Sequence, residues 1–576
     1  MKVINDEVDL IVVGAGAGGM TAALTAGLLG LKVVLCEATD QVGGTTATSA
    51  GTIWVPGNRH GIAAGFDDSV GKGRQYFDAI LGADDERGLR HAYLESADAA
   101  VAWLEERSAL KFATAGRHPD YLDLPGAAIG GRALTPLEFD GRQLGRDFDR
   151  IRAPLPEFLI LGGMMANKAD VQALIHRHRS VRHFARAVRL VMRYGMDRLR
   201  YRRGTRLVLG NALVARLFYS LGAAGVQVRF ETRLQHLDVE GGQVVGAVFD
   251  AGGTAVRIGS RAGVVLATGG IGHHAELRSA LLPAGVGVHS LAFESDRGEG
   301  IAAARRVGGR LDFHPGSFFW QPVSVVPRPS GGTGLFPHLY LDRAKPGLIA
   351  VDAAGARFVN EGASYHHFVA AMLQSNQAVP AHLICDAAFV RAYGLGVIAP
   401  GTRDLRAFEH RGYIAVAPSL AALAAKLDID AQGLAVSVQK NNRYAQAGVD
   451  PDFGKGSTEV SRFNGDPSHR PNPCLGPIAT PPFCALKIWP ADAASSTGLA
   501  TNADGVVLDG AGAPISGLYA CGNDMASVMR GAYPGPGTTI GPAMVFGYRI
   551  GVHAKALSES TPTATRQDGR DTRVCA

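Results

Sequence analysis

No apolar run in this chain reaches about 18 residues, the length a spanning helix requires, so a membrane-crossing segment is not expected. Cysteine is scarce too. The six thiols (Cys36, Cys385, Cys474, Cys484, Cys521 and Cys575) make no CxxC pair and no Cys/His group at zinc spacing. That argues against a structural metal, so none is expected, and it fits a reducing compartment. Charge is thin, at 19% of residues with a net +6, and no nucleic-acid-binding module accompanies it, so no nucleic-acid partner is expected. The opening residues hold acids (Asp6, Glu7, Asp9) and only a short apolar run, unlike a secretory signal; the expected location is the cytoplasm.

What is present is a globular composition, 46% hydrophobic over 576 residues, too long for one core and implying two to four domains. Glycine is abundant at 75 residues, as close backbone approach to a large cofactor requires. Near the start, the apolar strand Asp9–Val13 runs into Gly14-Ala15-Gly16-Ala17-Gly18-Gly19, a helix with small residues (Ala22, Ala23, Ala26) and a second strand ending at Glu37. Glycines Gly14, Gly16 and Gly19 in this βαβ order, with an acid about 20 residues beyond them, form a dinucleotide-binding fingerprint; the acid is placed to meet a ribose hydroxyl. Gln227–Leu237 and Val244–Phe249 read as a hairpin. Gly263–Gly270 and Gly517–Asn523 read as strands entering turns, with Asn523 and Asp524 at a carboxyl end where such sheets bind ligands.

The second glycine-rich stretch, Arg530-Gly531-Ala532-Tyr533-Pro534-Gly535-Pro536-Gly537-Thr538-Thr539-Ile540-Gly541-Pro542, leads into the apolar, helix-like run Ala543–Tyr548. Such a loop brings backbone N–H groups and a helix N-terminus close to a ligand, and the Tyr533 phenol can hydrogen-bond an oxygen there. Between the two ends, about 326–489 carries helix-like segments (419–427, 432–445) and proline-rich loops. The expected fold is α/β: a discontinuous Rossmann-like FAD-binding domain (1–325 and 490–557) with an inserted α+β catalytic, or capping, domain (326–489) and a mobile tail (558–576).

Residues 177–206 hold eleven arginines, two histidines and a single acid, Asp197. Arg182, Arg186, Arg189 and Arg193 recur at helical spacing, while Phe184, Val188, Val191 and Gly195 mark another face. Within an insertion at about 145–206, this reads either as a solvated helix paired with the protein's own acids or as a peripheral contact with an anionic membrane surface.

The fingerprint, its continuation Gly43-Gly44-Thr45-Thr46-Ala47-Thr48-Ser49-Ala50-Gly51-Thr52-Ile53-Trp54-Val55-Pro56, the segment Ala267-Thr268-Gly269-Gly270 and the Tyr533–Pro542 loop together resemble the 3-ketosteroid dehydrogenase branch of the succinate dehydrogenase/fumarate reductase flavoproteins. The resemblance spans most of the chain and implies non-covalent FAD and desaturation of a cyclic ketone at the carbons α and β to its carbonyl. Gly14, Gly16, Gly19, Glu37, Gly44, Thr45, Ser49, Gly51, Thr268, Gly269, Gly522, Asn523, Ala543 and Met544 are the expected cofactor contacts. Desaturation needs a polarised carbonyl oxygen, a base for the α-proton and the flavin as hydride acceptor. The resemblance assigns the first to Tyr533 and the Gly537 N–H, and the base to Tyr365 in the Arg357-Phe358-Val359-Asn360-Glu361 neighbourhood, with Tyr121 as its hydrogen-bonding helper. His366 and His367 are alternatives as base.

A fumarate-type reductase would place a dicarboxylate clamp where Met529 and Tyr533 stand, which is the wrong chemistry, although Arg530 lies nearby. Ser49-Ala50-Gly51 departs from the Ser-Gly-Gly of many steroid enzymes. A pocket lined by Phe318, Phe319, Trp320 and Phe336 admits a steroid or a cyclohexanone-sized ring, and 3-oxosteroid 4-desaturation is a further variant. The electron acceptor is unassigned.

Overall fold

The structure is a computed structural model and describes residues 4–560 except 176, 179, 284–286, 314–315, 329–330, 340–341 and 376. The expected mobile tail therefore lies, beyond Ser560, outside the described residues.

The first sheet is eight-stranded and grows around β1 (Ile4–Val13). A short turn leads to α1 (Ala17–Leu28), then to β2 (Val33–Cys36) and to the short helix α2 (Gly44–Thr48). Val33–Cys36 is buried at every position, as a central parallel strand covered on both faces must be. β3 (Gln227–Arg229) extends the parallel set beside β2. The expected hairpin starts later than the sequence suggests. Glu231 adopts φ +52°, which breaks the strand after Arg229, and the hairpin pairs β4 (Thr232–Glu240) with β5 (Gln243–Ala251). β6 (Thr254–Leu266) continues from that hairpin into the core beside β1.

The second sheet is seven-stranded, with antiparallel neighbours along its main path. Its main strands are β7 (Phe318–Pro327), β8 (Thr333–Pro337), β9 (Leu348–Val351), β10 (Ala381–Asp386) and β11 (Phe483–Ser495), in spatial order β8-β7-β11-β10-β9. Helices at Leu420–Leu427 and Ala431–Ala447, where the sequence suggests them, bury leucines and alanines against this sheet in a small separate core. The strands run from 318 to 495, and an inserted domain at about 326–489 remains our proposed division of the chain.

The chain then returns to the first sheet. β12 (Val506–Leu508) and β13 (Pro514–Ala520) add to it, β13 pairing in parallel with β6. The long C-terminal helix Ile540–Ser560 packs on α1. Gly547 and Gly551 permit this: a Cβ on either would meet Gly18 O at 2.5 Å or Thr25 Cβ at 2.7 Å. Both ends of the sequence thus meet at one place in the fold.

Candidate active site

The N-terminal glycines divide by task. Gly14 has φ +101°, and a Cβ there would stand 2.2 Å from Ala267 O; a Cβ on Gly19 would stand 2.0 Å from Gly14 O. These two let strand and helix touch. Gly16, Gly44 and Gly522, from three separate segments, instead face open space, with no atom closer than 4.0 Å to the Cβ position. Bare backbone around a cleft that ends at the N-terminus of α1 suits a diphosphate. Glu37 closes β2 and accepts from Ala15 N at 2.9 Å and Thr39 N at 3.0 Å. Burial raises the Glu37 pKa, against the hydrogen bonds from Ala15 and Thr39. On these observations the residues present fit FAD.

The remaining expected cofactor residues have different surroundings. Thr45 Oγ1 donates to Asp296 Oδ2 at 3.0 Å, and a Cβ on Gly269 would strike the Asp296 carboxyl. Thr268 is tied to Asp524 through N (2.6 Å) and Oγ1 (2.8 Å), and Asn523 Nδ2 donates to Gly269 O. A recess lined by Phe319, Ser495, Gly522, Asn523, Thr539 and Ala543 continues from the cleft. Ser49 turns back on Thr46 O, Met544 is buried in the core, and the Cβ position of Gly51 is filled by the backbone of Leu209 and Gly210. Sequence reasoning missed Asp296; it placed Asp524 with Asn523 at a strand end where such sheets bind ligands, without counting it as a cofactor contact.

Beyond the recess three tyrosines come together, all buried (Tyr121 3%, Tyr365 4%, Tyr533 6% exposed). Tyr121 OH lies 3.2 Å from Tyr365 OH, and Tyr533 stacks on Tyr121 with ring centroids 5.8 Å apart. Tyr365 stands edge-on to Tyr533 at 5.2 Å. Burial raises the Tyr533 phenol pKa, and a hydrogen bond with Tyr365 works against that shift. A phenol so placed stays protonated and donates. Tyr365 is the first residue of helix α3 (Tyr365–Gln374), whose N-cap is Ser364. Gly537 holds φ +94°, with Ile53 and Thr52 against its Cβ position, and among the described residues its N–H meets no acceptor.

The Tyr533–Gly537 loop is fixed in part by Tyr76, Asp120 and Arg132, which sequence analysis did not single out. Pro534 O accepts from Tyr76 OH (2.9 Å) and Tyr121 N (2.8 Å). Trp54 Nε1 donates to Asp120 Oδ1 at 2.8 Å, directly under Gly535, whose Cβ position would meet both side chains within 2.9 Å. Asp120 is pushed up to about 6 by burial, against the pull of Arg132, which bridges it to Asp68. Such a network holds the loop rigidly because Tyr76, Trp54, Asp120, Arg132 and Asp68 are joined to it and to one another by buried hydrogen bonds.

The two histidines are poorly suited as bases. His366 Nδ1 accepts the Trp320 N–H at 3.2 Å, which occupies its lone pair, and burial lowers its pKa to about 3. His367 Nδ1 is bonded to Ser364 Oγ at 2.6 Å. Of the expected aromatic lining, Phe319 meets Tyr533 edge-on at 5.4 Å. Phe318 and Trp320 pack on each other, and Phe336 packs on Phe158 of the 145–206 insertion. Arg530 lines a different cleft, with Arg87, Arg310 and Asp312.

A family model for the FAD binding domain matches residues 9–540. A 4-oxocyclohex-2-ene-1-carboxylate 5-dehydrogenase from Sinomonas cyclohexanicum is 36% identical, covering 98% of this chain and 95% of its own. A 3-oxosteroid 1-dehydrogenase from Mycobacterium tuberculosis is 33% identical, covering 95% and 98%. The crystal structure of 3-ketosteroid delta1-dehydrogenase from Sterolibacterium denitrificans, in complex with 1,4-androstadiene-3,17-dione, superimposes with a TM-score of 0.88 at 36% identity, covering 96% of this chain and all of the other.

Proposed function

This chain belongs to the FAD-binding flavoprotein family, and from that premise we propose that it is an FAD-dependent ketone dehydrogenase that inserts a C=C bond α,β to the carbonyl of a 3-oxosteroid. The observation that carries the reading is the buried cluster of Tyr121, Tyr365 and Tyr533 beside the unpaired Gly537 N–H. The Tyr533 phenol and the Gly537 amide bind the carbonyl oxygen and stabilise the negative charge that grows there as the α-proton leaves. Tyr365 takes that proton. The Tyr121 hydroxyl donates to the Tyr365 phenol at 3.2 Å, and the place of Tyr365 at the N-terminus of α3 eases loss of its own proton. Bound FAD supplies the acceptor for the β-hydrogen, which leaves as hydride. The surrounding Phe319 and Trp54 keep water from the site.

No carboxylate clamp faces the tyrosines among the described residues: Arg132 beside the loop is paired with Asp120 and Asp68, and Arg530 lines another cleft. That supports a neutral substrate over the ring carboxylates of the Sinomonas relative and over dicarboxylate reduction. The test is anaerobic: the holoenzyme is mixed with a 3-oxo-4-ene steroid, with cyclohexanone and with 4-oxocyclohexanecarboxylate while flavin absorbance is followed. Bleaching by the steroid, with the new double bond at carbon 1, is expected. Bleaching by a small ring alone replaces the substrate, a product desaturated at carbon 4 replaces the position, and reoxidation of reduced flavin by fumarate overturns the reading.

A peripheral contact with an anionic membrane surface belongs to the same proposal. No described helix is long and apolar enough to cross a membrane. In the helix Val181–Asp197, however, Phe184 (55% exposed), Met192 and Met196 (62% each) form an outward apolar stripe with Val188 and Val191. Arg182, Arg189, Arg198 and Arg200 flank that stripe and are exposed. Two expected lipid contacts are engaged elsewhere: Arg186 pairs with buried Asp170, and Arg193 with Asp140. A bilayer matches both the apolar stripe and the remaining charge, and suits a poorly soluble steroid.

A further inference from the structure

The cofactor cleft holds much carboxylate. Glu37, Asp296 and Asp524 are all buried there. FAD would bring a diphosphate with two more negative charges, and the N-terminus of α1 offsets about half a charge. A cation there would favour such a ligand, and the dinucleotide fingerprint contains none.

Arg152 supplies one. Its segment runs beside the loop that leads into α2: Val42 N donates to Arg150 O at 2.8 Å, Arg152 N to Val42 O at 3.1 Å, and Gln41 Nε2 to Asp149 O at 3.0 Å. This places the half-buried Arg152 side chain over the Phe293 ring. Phe293 N in turn donates to Thr45 Oγ1 (2.9 Å) and Asp296 Oδ2 (3.2 Å), so the guanidinium stands where the first turn of α2 meets the carboxylate cluster. Its Nη1 is buried and has no hydrogen-bond partner. Nearby cations are engaged: Arg150 Nη1 donates to Asp40 O, and Arg233 pairs with Glu299. A buried donor left open costs free energy unless a ligand accepts from it. Burial lowers the Arg152 pKa to about 10, with Asp296, Glu294 and Glu37 opposing that shift, so the group is charged at neutral pH.

We propose that Arg152 is a cofactor-binding residue whose guanidinium meets the diphosphate of FAD. The proposal rests on the FAD reading and adds to it a residue outside every dinucleotide motif, contributed by the 145–206 insertion. The insertion would then serve the cofactor at its base and present its exposed helix at its far end.

The test uses Arg152→Gln and Arg152→Lys full-length proteins, with FAD release from holoenzyme followed by flavin fluorescence. Deflavinated full chain is titrated with FAD, ADP, riboflavin and adenosine. In Arg152→Gln, the Kd for FAD and for ADP is expected to rise ~10- to 100-fold, the scale of a charge-assisted hydrogen bond. Riboflavin and adenosine, which lack phosphate, are expected to bind as to the parent. Arg152→Lys keeps the charge without the planar fork and is expected to show a smaller loss confined to the same two ligands; it is the variant to read if Arg152→Gln does not fold. Unchanged ADP affinity, or an equal loss for adenosine, overturns the proposal. A parent protein that takes up no FAD at all overturns the FAD reading itself, and the arginine's role with it.

Discussion

Around Tyr533, polar groups lie in a dry interior: three phenols 3–6% exposed, the Asp120–Arg132–Asp68 bridge, and a neutral His366 whose free nitrogen is occupied. Along the helix Val181–Asp197 the arrangement is reversed. Apolar side chains such as Met192 and Met196 stand 62% exposed, and only Ala187, Leu190 and Asp197 are buried. The interior cluster is largely paired within the fold: the Asp120 and Asp68 carboxylates, Tyr76, Tyr121 and Tyr365 find partners there, and among the described residues the Gly537 N–H is left open. The helix is incomplete, because the fold covers one narrow side of it and leaves the other to whatever it meets. A site held rigid by its own partners, with one amide left open, is set up for chemistry; an apolar face left uncovered is set up for contact.

The contrast is broken most strongly from the inside. Tyr365→Phe removes the proposed base and is expected to cut turnover ~10²- to 10⁴-fold while the flavin spectrum persists; near-normal kcat would transfer the base role elsewhere. Tyr533→Phe removes one donor to the carbonyl oxygen, for an expected loss of roughly 10²- to 10³-fold in kcat with FAD retained. On the helix, replacing Arg182, Arg189 and Arg198 by Gln is expected to weaken partitioning onto phosphatidylserine vesicles about 100-fold, at about 1 kcal/mol per charge, with steroid turnover in detergent unchanged. Parent protein that never sediments with such vesicles would dismiss the membrane contact.

Acid sharpens the same comparison. His118, His366 and His382 have pKa values lowered to about 4, 3 and 4, burial being the main cause. A histidine whose folded pKa is depressed contributes stability above its unfolded value near 6.5, and loses it as pH falls toward the folded value. Each is therefore expected to lower stability by ~2 kcal/mol on going from pH 8 to pH 5, read as a fall in Tm. Removing the His366 imidazole should flatten that slope, and an unchanged slope would mean that His366 is not held neutral. The smallest effect is expected for Arg530→Gln, which faces the separate cleft: steroid turnover should stay within about twofold. A large loss there would revive a carboxylate-binding role.

Much of the cofactor cleft was legible in the sequence because its parts are local. Gly14, Gly16, Gly19 and Glu37 fall within one βαβ unit, and their spacing reflects strand, turn and helix lengths. The Tyr533–Gly537 loop is likewise marked by its own glycines and prolines. Other elements were legible only in part. The strand expected at Gln227–Leu237 divides at Glu231, where a positive φ at a non-glycine residue leaves no compositional mark. Phe336, expected beside the substrate, packs on Phe158 instead, since an aromatic strand residue reads the same whichever layer covers it.

The sequence by itself determined the dinucleotide-binding unit, the phenol-bearing loop before the last helix and the presence of a basic amphipathic segment, all properties of residues close along the chain. Only the tertiary structure decided that Tyr76 and Asp120 lock the loop and which arginines are paired, and it brings Tyr121 to Tyr365 across 244 residues, a contact that only the family resemblance anticipated. Those contacts arise from how two sheets and an insertion pack, and no local spacing or periodicity encodes a distance between side chains brought together from opposite ends of a chain.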